Sequence, residues 1–389
     1  MATMAKNYEN LKLACRDGDL KKVELCLMNY VDFKSVPNNY RDTPLDALFF
    51  GLRVKRFTDL DVCYKITRLL VSHGDRLNRY TMSIILSAIN YANLDTVKLL
   101  VNEANGDLRY VSTLEGASCL HAAVLCSQPG VLEYVLGFFK RNQLNINLRD
   151  RIGETPLLMA SRPITENHKA VKTLLKAGAD YRIADRQGLT SFDLLLIGER
   201  NPELAWLHFD LGYDIHRDFK FICLLYPLVI SEDPWLIDIG AELVIQEAMG
   251  VPIANTYWKK LCKYRTTRRY LRICREQLKI MRRVTFYEDL TFWDMLTADT
   301  GTLRKYAENY ELVEAFFAAK CNGDFAFFCA RVRYRLIDVM SQNNVKDLST
   351  AVVCKLLKRP KMYEIMQHEL TKYMDDDDFC SILSCCRKL

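Results

Sequence analysis

No stretch of this sequence stays apolar for long enough to cross a bilayer. The longest candidate, near Phe221–Ile230, is broken by Pro227 and falls far short of the roughly 20 residues a spanning helix needs. The opening residues, Met1 to Glu9, hold no apolar core of signal-peptide length, so export is not expected either. Glycine and proline are scarce, 16 and 10 in 389 residues, and no Gly/Ser-rich or Pro-rich tract occurs. Long disordered linkers are therefore not expected. Histidine is scarcer still: the six lie at positions 73, 121, 168, 208, 216 and 368, none paired at metal-ligand spacing. No Gly-rich phosphate loop, His-Glu-x-x-His or Gly-x-Ser-x-Gly element is present. The sequence thus predicts no enzyme, no metal and no cofactor.

What is present is ordinary globular composition, half hydrophobic and a quarter charged. Fourteen cysteines are scattered without regular pairing, several on segments such as Leu13-Ala-Cys15 that read as buried helix. A chain able to build a large core has no need of a disulfide scaffold. Reduced thiols in a cytoplasmic or nuclear protein are expected. Near the end, Cys386 stands fourth from the last residue, but Arg387 and Lys388 come next, where prenylation favours aliphatic residues, so lipidation is not expected.

Self-similarity sets the fold class. The clearest unit is Asp150-Arg-Ile-Gly153-Glu-Thr155-Pro156-Leu157-Leu-Met-Ala160, followed by Leu174, Leu175, Gly178 and Asp180. Thr155 is placed to cap a helix and Pro156 suits its first turn, where no backbone donor is missed. Ala160 is small enough to let two helices approach. Leu174 and Leu175 give the second helix its buried face, and Gly178 can end it in a left-handed conformation. The frame recurs at Leu11…Gly18, Thr43…Gly74, Ser83…Gly106, Gly116…Ala123 and Gly188…Gly212. Aligning Thr43, Ser83, Ser118, Thr155 and Thr190 gives spacings of 40, 35, 37 and 35. A degenerate seventh unit is placed at Glu242–Ile253.

This pattern closely resembles the ankyrin consensus, whose period is about 33 residues. The resemblance covers about residues 8–254 and implies an all-α solenoid of six or seven repeats that binds a target protein on its concave surface. His121 falls in the slot where ankyrin repeats carry a structural histidine bonded between neighbouring loops. Candidate target-binding residues lie at the projecting turn tips: Tyr40 and Arg41, Arg79 and Tyr80, Glu115, Arg151, and Arg186. Exposed tyrosine and arginine are the commonest binding anchors, though each tip can equally be a solvated turn. The insertion from Phe50 to Asp61 reads either as a target-contacting finger or as a tolerated loop extension.

From residue 255 to 389 the frame stops while helical patterning continues. Lys259–Arg283 holds eleven Lys/Arg against one acid, Glu276. That charge suits an anionic partner, but Leu261, Leu271, Ile273, Leu278, Ile280 and Met281 are interleaved as a core-packing amphipathic helix demands. Packing is the preferred reading, and nucleic acid is not the expected partner. Cys274…Glu276…Met281, then Phe292-Trp293-Asp294…Leu296, continuing through Ala330-Arg331…Tyr334…Leu336, resembles the PRANC domain found C-terminal to ankyrin repeats in poxvirus proteins.

The PRANC resemblance implies a truncated F-box, a helical hook for the Skp1 adaptor of cullin ubiquitin ligases. Leu348, Val352, Leu356 and Leu357 keep its apolar spacing within 348–357, while Ser349 and Ala351 replace its Pro and acidic residue. The same spacing also describes any buried helix. Two functions are consistent with these features: a non-catalytic adaptor bringing a target to a Skp1–cullin ligase, or a stoichiometric ankyrin inhibitor or scaffold without ligase recruitment.

Overall fold

A computed structural model of the chain describes residues 2–28, 43–77, 81–165, 167–197, 201–213, 234–251, 265–319 and 326–342. The described parts fall into two compact units, residues 2–213 and 234–342.

In the first unit the repeat frame becomes six helix pairs. The first helices are α1 (Ala2–Arg16), α3 (Pro44–Arg53), α5 (Ile84–Tyr91), α7 (Cys119–Leu125), α9 (Pro156–Ala160) and α11 (Ser191–Ile197). The second helices are α2 (Leu20–Met28), α4 (Leu60–Ser72), α6 (Leu94–Glu103), α8 (Val131–Arg141), α10 (His168–Lys176) and α12 (Pro202–Asp210). Each first helix packs on the next in the series α1, α3, α5, α7, α9, α11, and among second helices α2, α4, α6 and α8 adjoin in turn and α10 adjoins α12. This is the nearest-neighbour packing of a solenoid, in which each pair covers its apolar face only with the pairs beside it. The chain is all-α in character, as its sequence predicts.

Local chemistry starts and stops these helices. Thr43 and Thr155 accept from Asp46 and Leu158 backbone N–H groups at 3.2 Å, each followed by proline in the first turn. Asn93 and Asn167 cap α6 and α10 in the same way at 3.0 Å. Gly178 ends the fifth pair at φ +91°, as expected of its position. Ser83 departs from the pattern: it has helical φ/ψ and makes no side-chain cap, because a turn at Thr81 leads into α5 instead. The core is filled by Leu48, Phe49, Ile66, Leu70, Ile85, Leu120 and Phe139, all essentially inaccessible. Burying each such side chain stabilises by about 1.5–3 kcal/mol before entropy is counted.

Part of the segment from Phe50 to Asp61 is helix rather than loop. Phe50–Arg53 is the last turn of α3, and Asp59 caps α4 by accepting from Asp61 and Val62 N–H groups at 2.9 and 3.1 Å. Between them Lys55 turns the chain at φ +57°, and Phe57 packs on Gly18. The aromatic ring is what holds the loop down.

The second unit contains α13 (Pro234–Ala248), α14 (Arg265–Met281), a short hairpin of β1 (Thr285–Tyr287) and β2 (Leu290–Thr291), then α15 (Phe292–Thr297), α16 (Thr300–Glu308), α17 (Tyr310–Ala318) and α18 (Ala326–Gln342). The strands are antiparallel, with Thr285 opposite Thr291. Helix α13, where the sequence places a degenerate seventh repeat, packs against α14 in this unit. At Gly240 an added Cβ would stand 2.6 Å from Leu271, so glycine permits that approach. The sequence places the domain boundary after residue 254; the structure groups α13 with the C-terminal helices instead.

Residues carrying the PRANC resemblance are mostly core. Cys274, Leu278, Met281, Phe292, Met295, Leu296 and Leu336 are all buried. Thr291 and Asp294 form a reciprocal capping box that starts α15. Arg335 of α18 closes its other end by donating to the carbonyls of Leu296 and Ala298, both at 2.7 Å. Arg331 of the same helix pairs with buried Glu242 of α13.

Candidate protein-binding surface

The turns between repeats are built by aspartate. Asp150 Oδ1 accepts from Ile152 and Glu154 N–H groups at 3.0 and 2.8 Å, and Asp185 repeats the pattern with Gln187 and Leu189 at 2.8 and 2.9 Å. Each turn thereby projects an exposed arginine, Arg151 or Arg186. Those side chains have a structural use that spacing did not foretell. Arg151 donates through Nη2 to the Thr113 carbonyl at 2.5 Å, and its backbone N–H to the Glu115 carbonyl at 2.9 Å. Arg186 in turn reaches the carbonyl of Arg151. The tips of repeats four to six are thus strung together by guanidinium–carbonyl bonds. Glu115 lies at the first of these tips, exposed. Tyr40, Arg41, Arg79 and Tyr80, and the hook at Leu348, Val352, Leu356 and Leu357, lie outside the described residues.

Beneath the tips, His121 joins two repeats as its slot implies. Its Nδ1 accepts from the Ser118 N–H at 3.1 Å, which leaves Nε2 to donate to the Glu154 carbonyl at 3.0 Å. Burial lowers its pKa to about 4, so the ring is neutral at physiological pH. Glu154 is itself buried and pairs with Arg162. Asn167 adds a third link, donating to the Val124 carbonyl of the preceding repeat at 2.7 Å.

His208, which the sequence did not single out, is wholly buried among Tyr181, Phe192 and Tyr213 and contacts the Leu204 carbonyl at 2.7 Å and Ser191 Oγ at 3.1 Å. Desolvation lowers it to about 4 as well. His121 and Asn167 thus join neighbouring repeats, while His208 bonds within its own pair. Among the described residues no group of three or more His, Cys, Asp or Glu could hold a metal ion. No described helix is long and apolar enough to cross a membrane.

The basic segment is described from residue 265 onward. Residues 265–283 show α14 burying Leu271, Cys274, Leu278 and Met281 while Arg268, Arg269, Arg272, Lys279, Arg282 and Arg283 are exposed. Arg282 lies over the Trp293 ring at 4.2 Å. Leu271, Leu278 and Met281 therefore pack as the preferred reading expects, whereas Ile273 and Ile280 stand exposed among the charges and Leu261 lies outside the described residues.

A family model described as ankyrin repeats matches residues 84–185 in three copies. The third to fifth helix pairs are therefore ankyrin repeats, in an all-α repeat chain whose repeats imply protein–protein interaction. No curated protein matches the chain. Among solved structures, a chain from a Bdellovibrio bacteriovorus complex of a predatory endopeptidase with an immunity protein is similar over 48% of this chain and 90% of its own. The two are 22% identical, with a TM-score of 0.36.

Proposed function

We propose that this chain is a non-catalytic adaptor whose repeat array holds a target protein and whose C-terminal region brings that target to a Skp1–cullin ubiquitin ligase. The observation that carries the binding half is the ankyrin match over residues 84–185 on a continuous stack of first helices. The recruiting half is supported by the PRANC resemblance of the sequence and by the hook spacing at 348–357. Mechanistically such an adaptor breaks no bond. It raises the local concentration of the target at a ubiquitin-loaded enzyme.

The departures from the F-box pattern at Ser349 and Ala351 favour the second reading, a stoichiometric ankyrin inhibitor or scaffold that occludes its partner. Co-purification separates the two. The adaptor predicts recovery of Skp1 and cullin by the intact chain, lost on Leu348→Asp with Leu356→Asp. Failure to recover either from the intact chain sinks the recruiting half. Proximity labelling with and without residues 340–389 then reports the target: under the inhibitor reading the labelled set and the cellular effect survive the deletion.

A further inference from the structure

Three successive first helices end on a large apolar side chain left substantially in solvent. Phe50 in the last turn of α3 is 45% exposed, Tyr91 at the end of α5 42%, and Leu125 at the end of α7 55%. They stand seven, eight and seven residues after Thr43, Ser83 and Ser118, so they occupy nearly the same level of the stack. Because α3 packs on α5 and α5 on α7, and packed helix axes lie about 8–10 Å apart, the side chains form a row with roughly that step. In the next repeat the corresponding position is Arg162, and Ile164, 94% exposed, lies two residues further on, beyond the short α9. A single exposed apolar residue needs no explanation. Three at nearly the same level on adjacent repeats make a patch of the kind that marks an interaction site.

Charge along the row is uneven. At the second repeat Arg53, Lys55 and Arg56 are exposed, with Arg53 over the Phe50 ring at 5.3 Å. Of the nearby carboxylates, Asp59 caps α4 and Asp61 sits in its first turn, while across the Phe57–Gly18 contact Asp19 pairs with Lys22 and Asp17 lies 3.9 Å from Arg16. The stretches around the other anchors, Asn90-Tyr91-Ala92-Asn93 and Leu125-Cys126-Ser127-Gln128, carry no charge, and Arg162 at the far end is matched by Glu154. The row is cationic at one end and neutral beyond it.

We infer that this row seats an acidic, apolar-anchored segment of the target protein. Its carboxylates lie over Arg53, Lys55 and Arg56, and its large apolar side chains recur about 10 Å apart to cover Phe50, Tyr91 and Leu125 in turn. The step restricts the backbone of the segment. A polyproline II chain returns to one face every third residue, about 9 Å along. An α-helix does so every seventh residue, about 10.5 Å along, while the two-residue step of a β-strand, about 6.6 Å, falls out of phase. The inference rests on the reading of the repeats as a protein-binding surface and adds the chemistry of what they bind.

Selection of a displayed random-peptide library on the intact chain tests it. The expected winners carry acids at one end and large apolar residues at a period of three or seven, which also distinguishes the two backbones. Their synthetic, fluorescently labelled forms should bind at least tenfold more weakly to Phe50→Ser with Leu125→Ser, and to Arg53→Glu with Arg56→Glu. The loss in the charge variant should shrink as salt rises. All substituted side chains are exposed, and an unchanged circular dichroism spectrum excludes misfolding. Selection of basic or unpatterned peptides, binding indifferent to both variant pairs, or no enrichment overturns the inference. Partner recovery in proximity labelling that is equal for wild type and Phe50→Ser with Leu125→Ser overturns it while leaving the protein-binding reading standing.

Discussion

At the scale of single residues, three buried ionisable groups give the fold a distinctive response to pH. His121 and His208 are both lowered by burial to about 4 from an ordinary 6.5. Unfolded, each takes up a proton below about pH 6.5 that the folded chain refuses until about 4. Their contribution is therefore complete above 6.5 and is lost as pH falls through that window, by up to about 3 kcal/mol each. Asp75 works in the opposite sense. Burial raises its carboxyl from 3.8 to about 7, outweighing the backbone bonds from Leu45 and Arg76 that lower it. Its favourable contribution is full below about pH 4 and disappears as pH rises towards 7. Asp75→Asn should therefore be more stable than wild type at pH 8, yet lose stability more steeply on acidification to pH 5. Urea midpoints across that range check both statements. His121→Ala, which removes the link between Ser118 and Glu154, should cost about 1–3 kcal/mol at pH 7.5, measured by the same titration.

At the scale of elements, the second unit depends on what α18 does for its neighbours. Arg331→Met leaves Glu242 charged and buried without its partner, and the expected loss is about 3–5 kcal/mol. Adding Glu242→Met should restore much of that loss, since replacing a buried ion pair with apolar groups is often neutral. Denaturation of the single and double variants decides it; an additive double variant would mean the two residues act separately.

How far each residue's job reaches decides whether it could be read in the sequence. Thr155, Pro156 and Gly178 work on their own helix, so their identities announce their roles. The Arg151–Thr113 link and the Glu242–Arg331 pair join positions 38 and 89 residues apart, and nothing local marks them. Arg151 and Arg186 could be found as exposed tip residues but not as hooks on the next carbonyl. Phe57 could not be told from a finger residue because its seat, Gly18, belongs to another repeat. The apolar row was hidden for the same reason: Phe50, Tyr91 and Leu125 become neighbours only once the helices stack.

At the scale of the molecule, a one-dimensional array should fail locally rather than all at once. A Cβ at Gly51 would run into the carbonyl oxygen of Arg16 in the adjacent helix, too close for any allowed contact. Gly51→Ala is therefore expected to pry the first pair off the stack. Hydrogen exchange should show protection lost across residues 2–28 and retained across 84–185. Uniform loss along both stretches would mean the repeats melt as a single body.

The strung tips have a mechanical corollary. Arg151 holds Thr113 and is in turn held by Arg186, so a visitor that draws either guanidinium off its carbonyl breaks a link between repeats. Recognition that displaces such a bond would slacken the spine at the very joint being touched, whereas a guest content with the remaining N–H donors would leave it taut.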